Sequence, residues 1–141
     1  MKITSWNDAP ATDLRAIRAV LTDIDDTLTN HGKLPAQAYE AIHELSAAGI
    51  AVIAVTGRPA GWCDHIARMW PVAAVVGENG AFYFRYDEAE KRMHRVYAQS
   101  ANDRNASQKK LHQIARDVLV KYSGTAIASD QAYREIDVAI D

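Results

Sequence analysis

Two largely apolar runs, AIRAVLTDI at 16–24 and IAVIAV at 50–55, constrain this chain more than any other feature. A strand with one wet face alternates apolar and polar residues. A strand buried on both faces reads as an unbroken apolar run, as in a parallel sheet covered by helices. Between the two runs Pro35 stands where a helix can start, and Ala38, Ala41, Ile42, Leu45 and Ala48 share one helical face until Gly49 stops it. AGWCDHIARMW then reads as a second helix ending before Pro71, and VAAVVGENG as a third strand with its loop. The order β-α-β-α-β predicts right-handed crossover units, and so an α/β fold: an open, Rossmann-like parallel sheet with helices on both faces.

The pattern then changes. AFYFRYDEAEKRMHRVYA alternates large apolar with polar residues around the charged turn DEAEK, which predicts an antiparallel hairpin. ASQKKLHQIARDVLVKY places Leu111, Ile114, Ala115, Val118 and Leu119 at helical spacing, with Gly124 beyond its end. TAIASD and EIDVAID read as strands, the last stopping at Asp141 with no polar tail. The organisation expected is an extension over 1–15, a core over 16–98, and the opening of a second α/β unit over 99–141.

With 48% of its 141 residues hydrophobic, the chain can bury roughly two thirds of its unfolded surface, enough for one core. A formal charge of −2 supplies no basic field for nucleic acid. Cys63 is alone, so no internal disulfide forms, and the start MKITSWNDAP lacks the apolar segment of a secretion signal. No stretch approaches the ~20 apolar residues of a membrane-spanning helix. These features predict a cytoplasmic protein with neither membrane nor nucleic-acid partners.

The first apolar run ends in DIDDTLT, which crowds Asp23, Asp25 and Asp26 into one turn. Ligands of an open parallel sheet bind beyond the carboxyl ends of its strands, where this turn falls. Asp23 and Asp25, two residues apart, can project to one side, a costly arrangement unless a cation neutralises them. Mg²⁺ suits such a site, because it is commonly held by one or two carboxylates with waters and phosphate oxygens. A carboxylate beside it can attack phosphorus while its neighbour gives a proton to the leaving oxygen, roles that fit Asp23 and Asp25. The second run ends in Thr56, Gly57 and Arg58, whose hydroxyl and backbone N–H groups suit a phosphoryl oxygen. The plainer alternatives are that the acids decorate a solvated loop and that Thr56 caps the helix after Pro59.

DIDDTLT, TGRP and VVGENGA together resemble the haloacid dehalogenase (HAD) superfamily of phosphohydrolases, in particular its Cof-type capped branch, which includes sugar phosphatases. The resemblance is close over residues 19 to about 98. It implies Asp23 as nucleophile, Asp25 as general acid and base, Thr56 as the phosphate-binding hydroxyl, and Mg²⁺ on the Asp23 carboxylate and the Asp25 backbone carbonyl. Asp26, where many members have Gly, takes a structural role in the turn. A sugar phosphate is the implied substrate class, and residues from about 100 onward the opening of a mobile cap. The Lys and the later G-D-x-x-x-D acidic pair of the superfamily do not occur here: Lys109, Lys110 and Lys121 fall on or at the end of the last helix, and Asp130 and Asp137 lack the motif. The chain therefore reads as the N-terminal part of a longer enzyme, inactive alone and expected to self-associate or to pair with the missing part.

Arg58 and Asn79 are further candidates for substrate contact, against a solvated helix-opening Arg and an ordinary Asn-Gly turn. His31 reads as a solvated loop residue; His43, His65, His94 and His112 show no metal-ligand spacing; Trp62 and Trp70 read as packing residues; and Cys63 reads as a buried, inert thiol. Rival functions are a receiver-like signalling module, for which Gly77 and Glu78 stand where a phosphoryl-accepting Asp is needed, a capless phosphatase, and a noncatalytic phosphate- or metal-binding domain.

Overall fold

The computed structural model describes Ser5 and residues 8–141. Part of the expected N-terminal extension, residues 1–4, 6 and 7, lies outside the described residues; its remainder includes a short helix, α1 (Ala11–Ala16). The three apolar runs form β1 (Ala19–Asp23), β2 (Ala51–Val55) and β3 (Ala74–Gly77), paired in parallel with Asp23 opposite Val55 and Val55 opposite Val76. The crossovers are α2 (Ala36–Ala47) and α3 (Ala60–Met69). Pro35 stands at the N-cap of α2, and Gly49, at φ +77°, follows its end, a backbone that glycine adopts without steric cost.

The expected hairpin extends the sheet. β4 (Phe82–Asp87) and β5 (Arg92–Tyr97) add antiparallel strands, giving the order β1-β2-β3-β4-β5. Val75 pairs with Phe84, and Phe82 pairs with Tyr97. Alternation along β4 buries Phe82 and Phe84, whose rings stack 4.3 Å apart against Cys63, Ile66 and Val75. The backbone of β3 passes so close that a Cβ on Gly77 would lie 2.4 Å from the Phe82 ring and 2.6 Å from the Cys63 sulfur. Only glycine fits there.

Three expectations need correction. The first strand, read as buried on both faces, lies at the edge of the sheet, and its Leu21 is 67% exposed. The last helix, α4 (Ala101–Lys121), starts earlier than its apolar spacing indicates, because Ser100 caps it: the Ser100 hydroxyl accepts from the Asp103 N–H. The two terminal strands reduce to a single bridge, Ile127 with Ile140. Between them runs a short turn, Gln131–Tyr133, and a stretch whose N–H groups bond a buried side chain rather than a neighbouring strand.

Candidate functional site

The acidic turn is built around a buried anchor. Ile24 is 5% exposed, and its carbonyl accepts from the N–H groups of Thr27, Leu28 and Thr29. The Thr29 hydroxyl donates to the same carbonyl and accepts from the Asp26 N–H. Asp26 sits at φ +57°, a left-handed position that Asp tolerates better than most residues, in keeping with a turn-forming role. Asp23 and Asp25 therefore flank a fixed hydrophobic pin. The Thr27 hydroxyl donates to Asp23 Oδ2 at 3.4 Å. The Asp25 carboxylate is gripped at both oxygens by Arg58, with Nη2 at 2.7 Å from Oδ1 and Nε at 3.0 Å from Oδ2. That contact raises the Arg58 pKa above its ordinary value, against a smaller lowering by burial.

The phosphate-loop candidates lie alongside, because Asp23 pairs in register with Val55, the residue before Thr56. Thr56 is 2% exposed; its N–H donates to the Val76 carbonyl and its hydroxyl accepts from the Arg58 N–H. That hydroxyl thus shapes the loop and retains its own proton to donate. It does not cap α3, whose first N–H, from Ala60, goes to Glu78 Oε1. A Cβ on Gly57 would approach Asn79 Oδ1 to 3.0 Å, so the loop and the Asn79 side chain are in close contact. Asn79, at φ +58°, also donates to the Asp137 carboxylate.

Glu78 is the residue that sequence reasoning undervalued. Only 2% exposed, its carboxylate accepts four backbone N–H bonds: Ala60 and Glu135 on Oε1, Ile136 and Asp137 on Oε2, at 2.7 to 2.9 Å. A buried carboxylate is costly unless its lone pairs are filled, and here they are. The effect is to fasten residues 135–137 to the start of α3. Arg134 reinforces the fastening by pairing with Asp130 and Asp137 and donating to the Gly57 carbonyl. The available signal was a lone acid at the end of an apolar strand run.

The donor set suits the expected metal. The Asp23 carboxylate and the Asp25 carbonyl are hard oxygens, and no N–H or hydroxyl among the described residues donates to that carbonyl. Two such ligands, completed by water and phosphate oxygens, are what Mg²⁺ takes.

Other expectations divide. Cys63 is fully buried, and burial, followed by the charge of Glu78, pushes its thiol up to about 12. Trp70 packs edge-on against Tyr39, as expected of a packing residue. Trp62 does not: it is 48% exposed, with the Arg58 guanidinium 5.1 Å from its ring centroid. His94 is not isolated, because one ligating atom each of Asp87, Glu90 and His94 lies within 4.8 Å of the others. That cluster is at the hairpin turn, away from the acidic turn, and Asp87 Oδ1 is already engaged by the Ala89 and Glu90 N–H groups. His31 sits exposed in the tight turn between the bridged residues Asn30 and Lys33. Among the described residues no helix is long and apolar enough to cross a membrane.

The family model for haloacid dehalogenase-like hydrolases matches residues 20–136. The chain is similar to the solved structure of Thermoplasma acidophilum 0175, with 19% identity and a TM-score of 0.64 over 89% of this chain and 51% of that one. It is similar to a phosphatase of the HAD superfamily from Bacteroides thetaiotaomicron, with 24% identity and a TM-score of 0.51 over 79% of this chain and 40% of that one. A HAD subclass IIB sugar phosphatase gives 19% identity and a TM-score of 0.54, over 87% and 43%. At these identities the likeness speaks for the fold, and the chain spans about half or less of each solved relative's length. No curated protein matches the chain.

Proposed function

The chain belongs to the haloacid dehalogenase-like hydrolase family, and on that premise we propose that the protein hydrolyses phosphomonoesters through an aspartyl-phosphate intermediate, with a sugar phosphate as substrate class. The observation that carries the reading is the register of β1 against β2, which sets Asp23 beside the Thr56–Gly57 loop.

In this mechanism a phosphate monoester sits between the acidic turn and that loop, its oxygens met by the Thr56 hydroxyl and the Gly57 N–H. Asp23 attacks phosphorus, the bond from phosphorus to the ester oxygen breaks, and Asp25 gives that oxygen its proton. Water then attacks the aspartyl phosphate, Asp25 takes the water's proton, and inorganic phosphate and free Asp23 result. Both Asp25 oxygens are held by Arg58, so the carboxylate must release Arg58 at one oxygen and take up a proton from water there before it can give one to the ester oxygen. Arg58 thereby orients the acid. Asn79 touches the loop at Gly57 and donates its N–H to the Thr56 carbonyl. The Asp23 carboxylate and the Asp25 carbonyl would hold Mg²⁺, which when bound offsets negative charge on the phosphoryl oxygens.

The Lys and the later acidic ligands expected of the family would come from sequence beyond these residues, a reading supported by the chain's spanning 51% or less of the solved relatives described. A receiver-like module finds no support, because Glu78, at the end of β3, is buried and its carboxylate filled by N–H groups. The test is Mg²⁺-dependent phosphate release from a panel of phosphate esters by the intact protein. Turnover should vanish with EDTA and return with Mg²⁺; unchanged turnover in EDTA, or no turnover of any ester, would overturn the proposal.

A further inference from the structure

We propose that Arg134 is a positioning residue of the phosphate loop: by holding the Gly57 carbonyl it fixes the backbone that presents the Thr56 hydroxyl and the Gly57 N–H to a phosphoryl group. This inference rests on the phosphatase reading above.

Three consecutive carbonyls of the loop are held from outside it. The Thr56 carbonyl accepts from the Asn79 N–H and the Arg58 carbonyl from the Glu78 N–H, each at 3.3 Å. The middle one, of Gly57, accepts from Arg134 Nη1 at 3.1 Å, across 77 residues of sequence. The end of β3 thus supplies two of these contacts. Arg134 supplies the third, at the residue whose missing side chain leaves its backbone freest to turn.

These contacts fix peptide planes. The carbonyl held by Arg134 belongs to the same peptide unit as the Arg58 N–H, which donates to the Thr56 hydroxyl at 3.0 Å. That unit is tied at both ends, so it cannot flip. With one lone pair taken by the Arg58 N–H, the Thr56 hydroxyl keeps its proton for a ligand. In the preceding unit the Thr56 carbonyl is tied to Asn79, so the Gly57 N–H faces the opposite way. Among the described residues nothing accepts from that N–H. An open N–H beside a free hydroxyl proton is a pair of donors for phosphoryl oxygens.

Arg134 is suited to hold the loop rather than to attract the anion. Its side chain is 9% exposed; its Nε and Nη2 meet the Asp130 carboxylate, and its Nη1 meets Asp137 Oδ1 at 2.8 Å. Two carboxylates around one guanidinium leave no surplus positive charge for an incoming dianion. They do aim the planar fork, which gives the bond to Gly57 a direction. Glu78, by fastening residues 135–137, keeps Arg134 within reach of the loop.

The experiment is calorimetric titration of the intact protein, in Mg²⁺, with inorganic phosphate, on variants matched in charge. Arg134→Gln combined with Asp130→Asn removes one positive and one negative charge; it should bind phosphate about tenfold more weakly, the loss expected of one charged donor. Asp130→Asn alone, and Arg134→Lys, whose ammonium still reaches the carbonyl, should stay within about threefold. Hydrogen exchange without phosphate should show the Arg58 N–H about tenfold faster in the double variant, with the amides of β2 unchanged. The role is overturned if the double variant leaves phosphate affinity or Arg58 exchange unchanged, if Asp130→Asn alone loses as much affinity, or if β2 exchanges faster throughout. Failure of the phosphatase reading would look different: the unaltered protein would bind phosphate no better than its Thr56→Val variant, and the role of Arg134 would fall with it.

Discussion

Arg58 donates to both oxygens of Asp25, and the pairing gives the acid of the proposed reaction a fixed orientation. Lysine presents a point charge rather than a planar fork, so Arg58→Lys should lower kcat more than it raises KM, as steady-state kinetics on the intact protein would show. Asp25→Asn removes the proton donor and should lower kcat by roughly 10²- to 10⁴-fold with the fold unchanged by circular dichroism. Thr56→Val removes a hydroxyl that accepts from Arg58; stability should fall by about 1 kcal/mol, and vanadate affinity should fall as well. An equal stability loss with unchanged anion binding would leave Thr56 a loop former alone. Cys63, with its thiol pushed up to about 12 by burial and then by Glu78, should resist iodoacetamide at pH 8 until the protein unfolds. The placement of Asp23 and Thr56 at the ends of neighbouring strands was legible in the sequence, because each follows an apolar run. The Arg58–Asp25 pairing was not, because their 33-residue separation is closed by the sheet and by nothing local.

At the scale of elements, the strands and crossover helices were readable because their periodicities are local properties. The hairpin was readable for the same reason. The N-terminal turn of α4 was missed because ANDRN carries no apolar spacing, while the Ser100 cap that starts it is a single side-chain contact. The C-terminal stretch was misread because its β-rich composition says nothing about what its N–H groups will meet. They meet Glu78. Glu78→Gln substitutes an amide whose NH₂ faces backbone donors, and should cost about 3 kcal/mol in denaturant unfolding. It should also speed hydrogen exchange selectively at Glu135, Ile136 and Asp137. A uniform loss of protection along the chain would mean that Glu78 serves the core and not the fastening of this segment.

For the molecule as a whole, β1 is paired along one edge only among the described residues, and Leu21 projects exposed from it. An open edge of this kind invites another strand. A preparation of residues 1–141 alone should therefore self-associate in light scattering and show no phosphatase turnover. A monodisperse, active monomer would mean that no further motif is required. The central claim concerns one carboxylate at the end of that same strand, and the most direct measurement of it is turnover of a phosphate ester by the intact protein carrying Asp23→Asn. The amide keeps the shape of the side chain but cannot attack phosphorus, so kcat should drop by about four orders of magnitude or more while thermal unfolding stays unchanged; near-normal turnover in that variant would contradict the account.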